Sequence, residues 1–342
     1  MRSNARTLWV LLAVLAMLAA ACGDGLEGDD GDDAAGDTDG AAETDAAGGD
    51  GEIAAAGSAS LEGADITVGS KDFDEQLILG YISVAALENA GANVTDQVNL
   101  GGTDAARGAL TSGEIDTYWE YNGTAWISFF RETEPIQDPQ EQYQVVADRD
   151  LEENNLHWLQ PAPFNNTYAL AYASEAADEL GNPQTLSDLG PLIEESPEQA
   201  TLCVESEFPA RDDGLPGMEE LYGYEFPEGN VTVLDTGVVY TATADRDPCN
   251  FGEVFITDGR VSALDLTVLE DDLGFFPLYN PSPVFTEDVY AEYGQTLEEL
   301  FAPITEALTD DVMARLNARV SAEGERPEDV ARDFLTEIGV IG

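Results

Sequence analysis

Short apolar runs alternate with amphipathic stretches along most of this chain, and that alternation limits the fold more than any other feature. Ile66-Thr67-Val68-Gly69 reads as a strand, and after a polar loop the spacing predicts a helix over Asp74 to Asn89 with Leu77, Ile78, Tyr81, Ile82, Ala85 and Ala86 on one face. Asn93 to Leu100 reads as the next strand. Gly101-Gly102-Thr103-Asp104 reads as the cap of a helix carrying Ala105, Ala106, Ala109 and Leu110, and Ile115 to Trp119 as a third strand. Strands are expected again at Gln199 to Glu205, Val231 to Leu234 and Val254 to Ile256. Such alternation indicates an α/β protein with mostly parallel sheets. No internal repeat of fixed period is evident.

Charge removes whole classes of function. Of 342 residues, 69 are acidic and 13 basic, a formal net charge of −56. A surface of that sign repels nucleic acid and anionic lipid headgroups, so neither is expected as a partner. Fourteen of the acids lie between Cys22 and Ser70 with no base among them, yet the remainder of the chain stays strongly acidic. Catalysis is not expected either. The only histidine, His157, has no serine or cysteine nucleophile near it in sequence, and there is no Cys-x-x-Cys pair, phosphate-binding glycine loop or Gly-x-Ser-x-Gly elbow. No metal and no cofactor is therefore expected.

The amino terminus reads as an export signal. Arg2 and Arg6 precede an apolar stretch from Leu8 to Ala21, and small residues run directly into Cys22. The stretch is too short to span a bilayer comfortably. The pattern over residues 1–22 resembles a bacterial lipoprotein signal, which implies that Cys22 carries the lipid; a plainly cleaved secretory signal is the alternative. Residues 23–64 are rich in Gly, Ala, Asp, Glu, Ser and Thr, and are expected to form a disordered acidic linker. At roughly 5–6 Å times the square root of length, such a tether spans about 35 Å. Two cysteines remain, Cys203 and Cys249. An even residual count in an exported chain suggests one disulfide, with free buried thiols as the alternative.

Ligands of alternating α/β folds sit at the carboxyl ends of strands, and unusual residues collect there. The first strand is followed by Gly69-Ser70-Lys71-Asp72-Phe73-Asp74-Glu75-Gln76, and the third by Glu120-Tyr121-Asn122-Gly123-Thr124-Ala125. Later come Phe164-Asn165-Asn166-Thr167-Tyr168, Arg211-Asp212-Asp213-Gly214-Leu215-Pro216-Gly217, Phe255-Ile256-Thr257-Asp258-Gly259-Arg260 and Phe275-Phe276-Pro277-Leu278-Tyr279-Asn280. Aromatic residues in loops are a binding signature more than a folding one.

These segments, in this order from about Ile66 to Gly342, resemble the substrate-binding proteins of bacterial ABC importers for quaternary ammonium osmoprotectants: glycine betaine, choline and carnitine. The resemblance implies a two-lobed clamshell of the periplasmic-binding-protein type, with residues 65–162 and 265–342 forming lobe one and residues 163–264 lobe two. It implies hinge crossings near Pro161 to Pro163 and Leu264 to Leu266. It further implies an aromatic cage of Tyr121, Tyr168, Phe255 and Tyr279, with Tyr240 and Tyr118 as competing candidates. A trimethylammonium group has no N–H to donate, whereas ring faces attract it by roughly 0.5–2 kcal/mol each. Lys71 and Arg211 match positions that hold a carboxylate, and Thr124 offers a hydroxyl. Asp104 matches a position where an aspartate accompanies choline preference; a plain helix cap is its other reading. The choice between choline and betaine stays open at this level.

The implied partners are the small ligand, a permease and a separate ATPase subunit. The implied state is a monomer held outside the cytoplasmic membrane by its lipid. A binding protein for another small cationic or zwitterionic solute, carnitine or ectoine-like, is the alternative, and an exported non-catalytic surface protein a weaker one. Lys71 is the single lysine against twelve arginines, which with the acidic body suits a high-salt medium. Thermal unfolding in molar salt is accordingly expected at a higher temperature than in dilute buffer; equal midpoints would remove the halophilic reading.

Overall fold

The computed structural model of the protein describes residues 60–227 and 229–342. The export signal with Cys22, and the acidic tract as far as residue 59, lie outside the described residues. The last residues of the expected linker are part of the folded body. Leu61 is fully buried, its N–H donates to the Ala90 carbonyl at 2.8 Å, and Ala64 is buried in the same core. One leucine in a polar tract is enough to tie the entering chain to the core.

Strand β1 (Asp65–Gly69) leads into helix α1 (Asp74–Asn89), followed by β2 (Asn93–Gln97), α2 (Thr103–Ser112) and β3 (Thr117–Tyr121). A single turn, α3 (Asn122–Thr124), precedes α4 (Pro139–Asn154) and β4 (Leu156–Trp158). The chain then builds β5 (Tyr168–Ala173), α5 (Leu189–Glu195), β6 (Leu202–Val204), α6 (Leu215–Tyr222), β7 (Val231–Val233), α7 (Thr236–Asp245), β8 (Phe251–Phe255), α8 (Gly259–Ala263) and β9 (Leu266–Val268). It closes with β10 (Pro281–Thr286), α9 (Glu287–Ala307), α10 (Asp310–Ser321) and α11 (Pro327–Glu337).

These strands form two five-stranded sheets, ordered β2-β1-β3-β10-β4 and β7-β6-β8-β5-β9. The two-lobed architecture follows, because the chain passes between the sheets twice, after β4 and after β9. The second passage comes later than the sequence led us to expect. The pairing of β9 with β5, Ala173 opposite Leu266 and Ala171 opposite Val268, keeps the chain in the second sheet through the Leu264 to Leu266 region. It returns only between Val268 and Pro281.

Both sheets are mixed rather than mostly parallel. β1 runs parallel to β2 and β3, and β6 parallel to β7 and β8, as the helical crossovers require. β10 is antiparallel to β3 and β4, and β5 is antiparallel to β8 and β9. The exceptions are the two strands that arrive from the other sheet. β3 ends at Tyr121 opposite the start of β10, and β8 ends at Phe255 opposite the start of β5, so each arriving strand begins where its neighbours end.

Helix α1 is buried on more than the one face its periodicity predicts. Leu79, Val84 and Leu87 are enclosed along with Ile78, Ile82, Ala85 and Ala86, since α1 packs against α10 and α11 as well as the first sheet. In the second sheet, Cys203 on β6 and Cys249 just before β8 are bonded, with their Cα atoms 5.6 Å apart. The bond ties β6 to the segment entering β8 across 46 residues of chain and so restricts the unfolded state.

Candidate functional site

A cavity of about 730 Å³ opens between the two sheets, where the strands of both end. Lys71 and Phe73 reach it from the turn after β1, Tyr121 from the end of β3, and Thr124 from α3. Tyr168 is the first residue of β5, Arg211 follows β6, Phe255 ends β8, and Tyr279 stands just before β10. Glycines allow the close approaches that this convergence needs. A Cβ on Gly123 would lie 2.6 Å from the Leu278 carbonyl and 3.1 Å from the Tyr279 ring, and one on Gly214 would lie 2.1 Å from the Phe208 carbonyl.

The structure therefore brings together seven of the expected residues: Lys71, Tyr121, Thr124, Tyr168, Arg211, Phe255 and Tyr279. Tyr168 is the hub of the rings. Its centroid is 5.1 Å from Phe255 and 5.5 Å from Tyr279, the latter edge-on at 88°. A further ring, Phe73, completes the wall. Phe73 stacks on Phe255 at 5.2 Å and lies 6.2 Å from Tyr121 at a 20° interplanar angle. The signal was the one that marked the others, an aromatic residue in a strand-end loop.

Asp104 is a correction. It is exposed on the first turn of α2 and does not line the cavity. Nor is it the cap, which is Gly102. The free N–H of Thr103 instead donates at 2.7 Å to Glu207, a carboxylate from the other half of the molecule, and a helix amino terminus favours that charge. Tyr118 and Tyr240 also stand off the cavity. The Tyr118 hydroxyl donates to Glu120 at 2.7 Å, and the Tyr240 oxygen accepts from the Phe255 N–H at 2.9 Å, so both are buried supports.

Three bases line the cavity, and each is paired. Lys71 meets Glu120 at 2.7 Å with both side chains buried. Arg211 binds Asp213 through two nitrogens, at 2.8 and 2.6 Å, and reaches Thr124 at 3.5 Å. Arg260 lies 2.5 Å from Asp258 and 3.1 Å from Asp74. Against them the lining carries Asp72, Asp74, Glu205, Glu207 and Asp235, so the cavity is acidic on balance. Burial tends to raise the Glu207 pKa, but Lys71, the Thr103 N–H and Arg211 together hold it below the usual carboxylate value. The phenols stay neutral. Burial pushes Tyr121, Tyr168 and Tyr279 well above the usual tyrosine value, reinforced at Tyr121 by Glu75 and at Tyr279 by Asp213, whose carboxylate accepts the Tyr279 hydroxyl at 2.7 Å. Neutral rings with fixed faces suit a cation that offers no hydrogen-bond donor.

Behind this wall Glu253, fully buried on β8, has its carboxyl pushed up to about 8 by burial and by neighbouring Glu205. Its Oε2 accepts the Glu205 N–H at 3.1 Å.

Residues 64–337 match the family model described as the substrate binding domain of the ABC-type glycine betaine transport system. The chain is 41% identical over 277 residues to the glycine-betaine-binding protein of Pseudomonas aeruginosa, covering 80% of this chain and 87% of that one. It is 36% identical over 279 residues to the glycine betaine-binding protein YehZ of Escherichia coli, covering 80% and 90%. Apo YehZ superposes with a TM-score of 0.60 at 35% identity over 81% of this chain and 99% of that one. A glycine betaine/carnitine/choline ABC transporter protein superposes at 0.64 with 27% identity, over 81% and 98%.

Burial of the Glu253 carboxyl makes stability depend on pH. The folded protein holds this proton where the unfolded chain, near 4.5, has lost it, so the contribution to stability is full below about pH 4.5 and disappears as pH rises through about 8. Urea midpoints of the parent and of Glu253→Gln are expected to diverge over that interval, the variant gaining relative stability toward pH 8. A constant difference from pH 5 to 8 would show that Glu253 does not titrate this way.

Proposed function

The chain belongs to the family of substrate-binding domains of ABC-type glycine betaine transport systems, and from that premise we propose that it captures a quaternary ammonium solute between its two sheets for delivery to an importer permease driven by a separate ATPase. The observation that carries this reading is the convergence of Phe73, Tyr121, Tyr168, Phe255 and Tyr279 on one cavity whose bases are all paired with carboxylates. A free cation in the lining would repel the ligand. Here the onium group faces neutral rings in an acidic surround, and each ring contributes roughly 0.5–2 kcal/mol.

In this reading Arg211, Lys71 and Thr124 receive the opposite end of the ligand. Arg211 already spans the cavity to Thr124, so a ligand carboxylate joins a bridge between the halves, and its arrival favours closure. A ligand of about eight non-hydrogen atoms needs close to −8 kcal/mol for micromolar binding, below a ceiling near −12 at about −1.5 per atom. The cage and closure are sufficient for that. The lining offers Arg211 and Thr124 to a carboxylate while Asp104 stands outside it, so glycine betaine is the favoured ligand in this reading. The cavity volume of about 730 Å³ favours carnitine as a second reading, because sites of about 300–1,000 Å³ hold larger molecules. The lobes of this reading are the two sheets with their helices, 65–162 with 281–342 and 163–280.

We further propose that the export signal and Cys22 make this an extracytoplasmic protein anchored by lipid. Among the described residues no helix is long and apolar enough to cross a membrane, and multiple acyl chains anchor stably where one does not.

Isothermal titration with glycine betaine, choline, carnitine and proline betaine is expected to give the strongest binding for glycine betaine, and Tyr168→Ala should weaken it about two- to thirtyfold. No heat with any of the four compounds would refute the assignment. In cells, Cys22→Ser is expected to release the protein from the membrane fraction; unchanged retention would exclude the lipid anchor.

A further inference from the structure

Glu75, in the first turn of α1, is a fully buried carboxyl that the ligand contacts proposed above leave unused. Four polar side chains converge on it. Oε1 accepts the Tyr121 hydroxyl at 2.7 Å and the Asn166 amide at 2.8 Å; Oε2 lies 2.7 Å from the Thr257 hydroxyl and 2.8 Å from the Asn317 amide. These partners come from β3, from the first passage between the sheets, from the loop after β8, and from α10. They include one aromatic wall of the cavity and residues on both sides of it.

The same place is a close contact between the two halves. Thr257 stands two residues before Gly259, and Asn317 is next to Ala318. A Cβ on Gly259 would lie 2.3 Å from the Ala318 Cα, so α8 and α10 touch backbone to backbone. Backbone against backbone leaves the halves little room to shift there, and Glu75 is bonded to both sides of that contact.

A proton count sharpens the picture. The Thr257 oxygen lies 2.7 Å from Glu75 Oε2 and also 2.7 Å from Asn166 Oδ1, yet a hydroxyl has one proton to give. Both contacts become hydrogen bonds if the Glu75 carboxyl donates to Thr257 and Thr257 donates to Asn166. Turning the Asn166 amide over only moves the demand, because its oxygen then faces Glu75 Oε1 and again calls for a carboxyl proton. The charged groups nearby do not supply a counter-ion. Asp74 on α1 and Asp258 beside α8 are both paired with Arg260 of α8, while α10 and the passage between the sheets present amides. Burial raises the Glu75 pKa against the pull of its four hydrogen-bonding partners, in the same direction as the count.

We propose that Glu75 is a positioning residue of the ligand site, fixing the Tyr121 wall of the cavity to the pivot formed by Thr257, Asn317 and the Gly259–Ala318 contact. The inference deepens the quaternary ammonium reading and rests on it. As a neutral acid, Glu75 orients the Tyr121 ring without offering the onium group a competing charge.

The test is a titration with glycine betaine on Glu75→Ala, Glu75→Gln, Tyr121→Phe and the Glu75→Ala/Tyr121→Phe double variant. Removing the acceptor in Glu75→Ala is expected to weaken binding on the order of tenfold, the effect of one buried hydrogen-bond partner lost. Glu75→Gln, whose amide can donate to Thr257 and accept from Tyr121, is expected to restore affinity to within about threefold of the parent. The double variant is expected to bind no more weakly than Glu75→Ala alone, since both changes break one link. Parental affinity in Glu75→Ala, no rescue by Glu75→Gln, or losses that multiply would each overturn the proposal. If Glu75→Ala does not fold, infrared difference spectra of the parent against Glu75→Gln at pH 7 decide. The carbonyl band of one neutral carboxylic acid is expected to vanish, and a loss of ionised carboxylate absorbance instead would overturn the proton assignment. That readout needs no ligand, so a parent protein that binds no ammonium compound refutes the functional reading and leaves the Glu75 result to stand or fall separately.

Discussion

Passing one chain twice between two sheets imposes the constraint on which the rest of the structure depends. Strands built by helical crossovers end at the cavity, whereas a strand arriving from the other sheet must begin there. β5 and β10 are those arriving strands, and both are antiparallel to their neighbours for that reason. Tyr168 and Tyr279 enter the cavity on the segments that make the passage, while Tyr121 and Phe255 enter at the ends of ordinary strands. The rings meet because strand beginnings and strand ends meet.

The electrostatics obey the same geometry. With many acids and few bases, the buried positive groups of the site are each held by a carboxylate, and the lining remains acidic. Paired bases keep their donors without presenting an unbalanced charge, and desolvated phenols remain neutral. Such a surround attracts a cation and fixes its place by ring faces rather than by donors. Glu207 extends the pattern across the cleft, where a carboxylate from one half meets the amino terminus of a helix in the other.

Much of this was legible in the chain. The α1 boundaries, the alternation of strands and helices, and the aromatic loops after strands are local patterns, and local patterns leave periodicity and turn residues in sequence. Asp104 shows where that stops. Its place after Gly101-Gly102 was readable, but whether it faced the cavity depended on the rotation of α2 and on Glu207, a residue 103 positions away. Phe73 carried the same local signal as the other rings, but only the fold shows that it lies between Tyr121 and Phe255.

The amino-acid sequence by itself determined the class of fold, the acidic body and the residue types of the cavity, because each follows from composition or short-range spacing. Only the tertiary structure decided the mixed sheets, the later second passage, the identity of the fifth ring and the four-partner pocket around Glu75. Those depend on which distant segments come to lie side by side. A carboxylate six residues after a strand looks the same in sequence whether it faces water or Asn166, Thr257 and Asn317; burial and partners are properties of the packed chain.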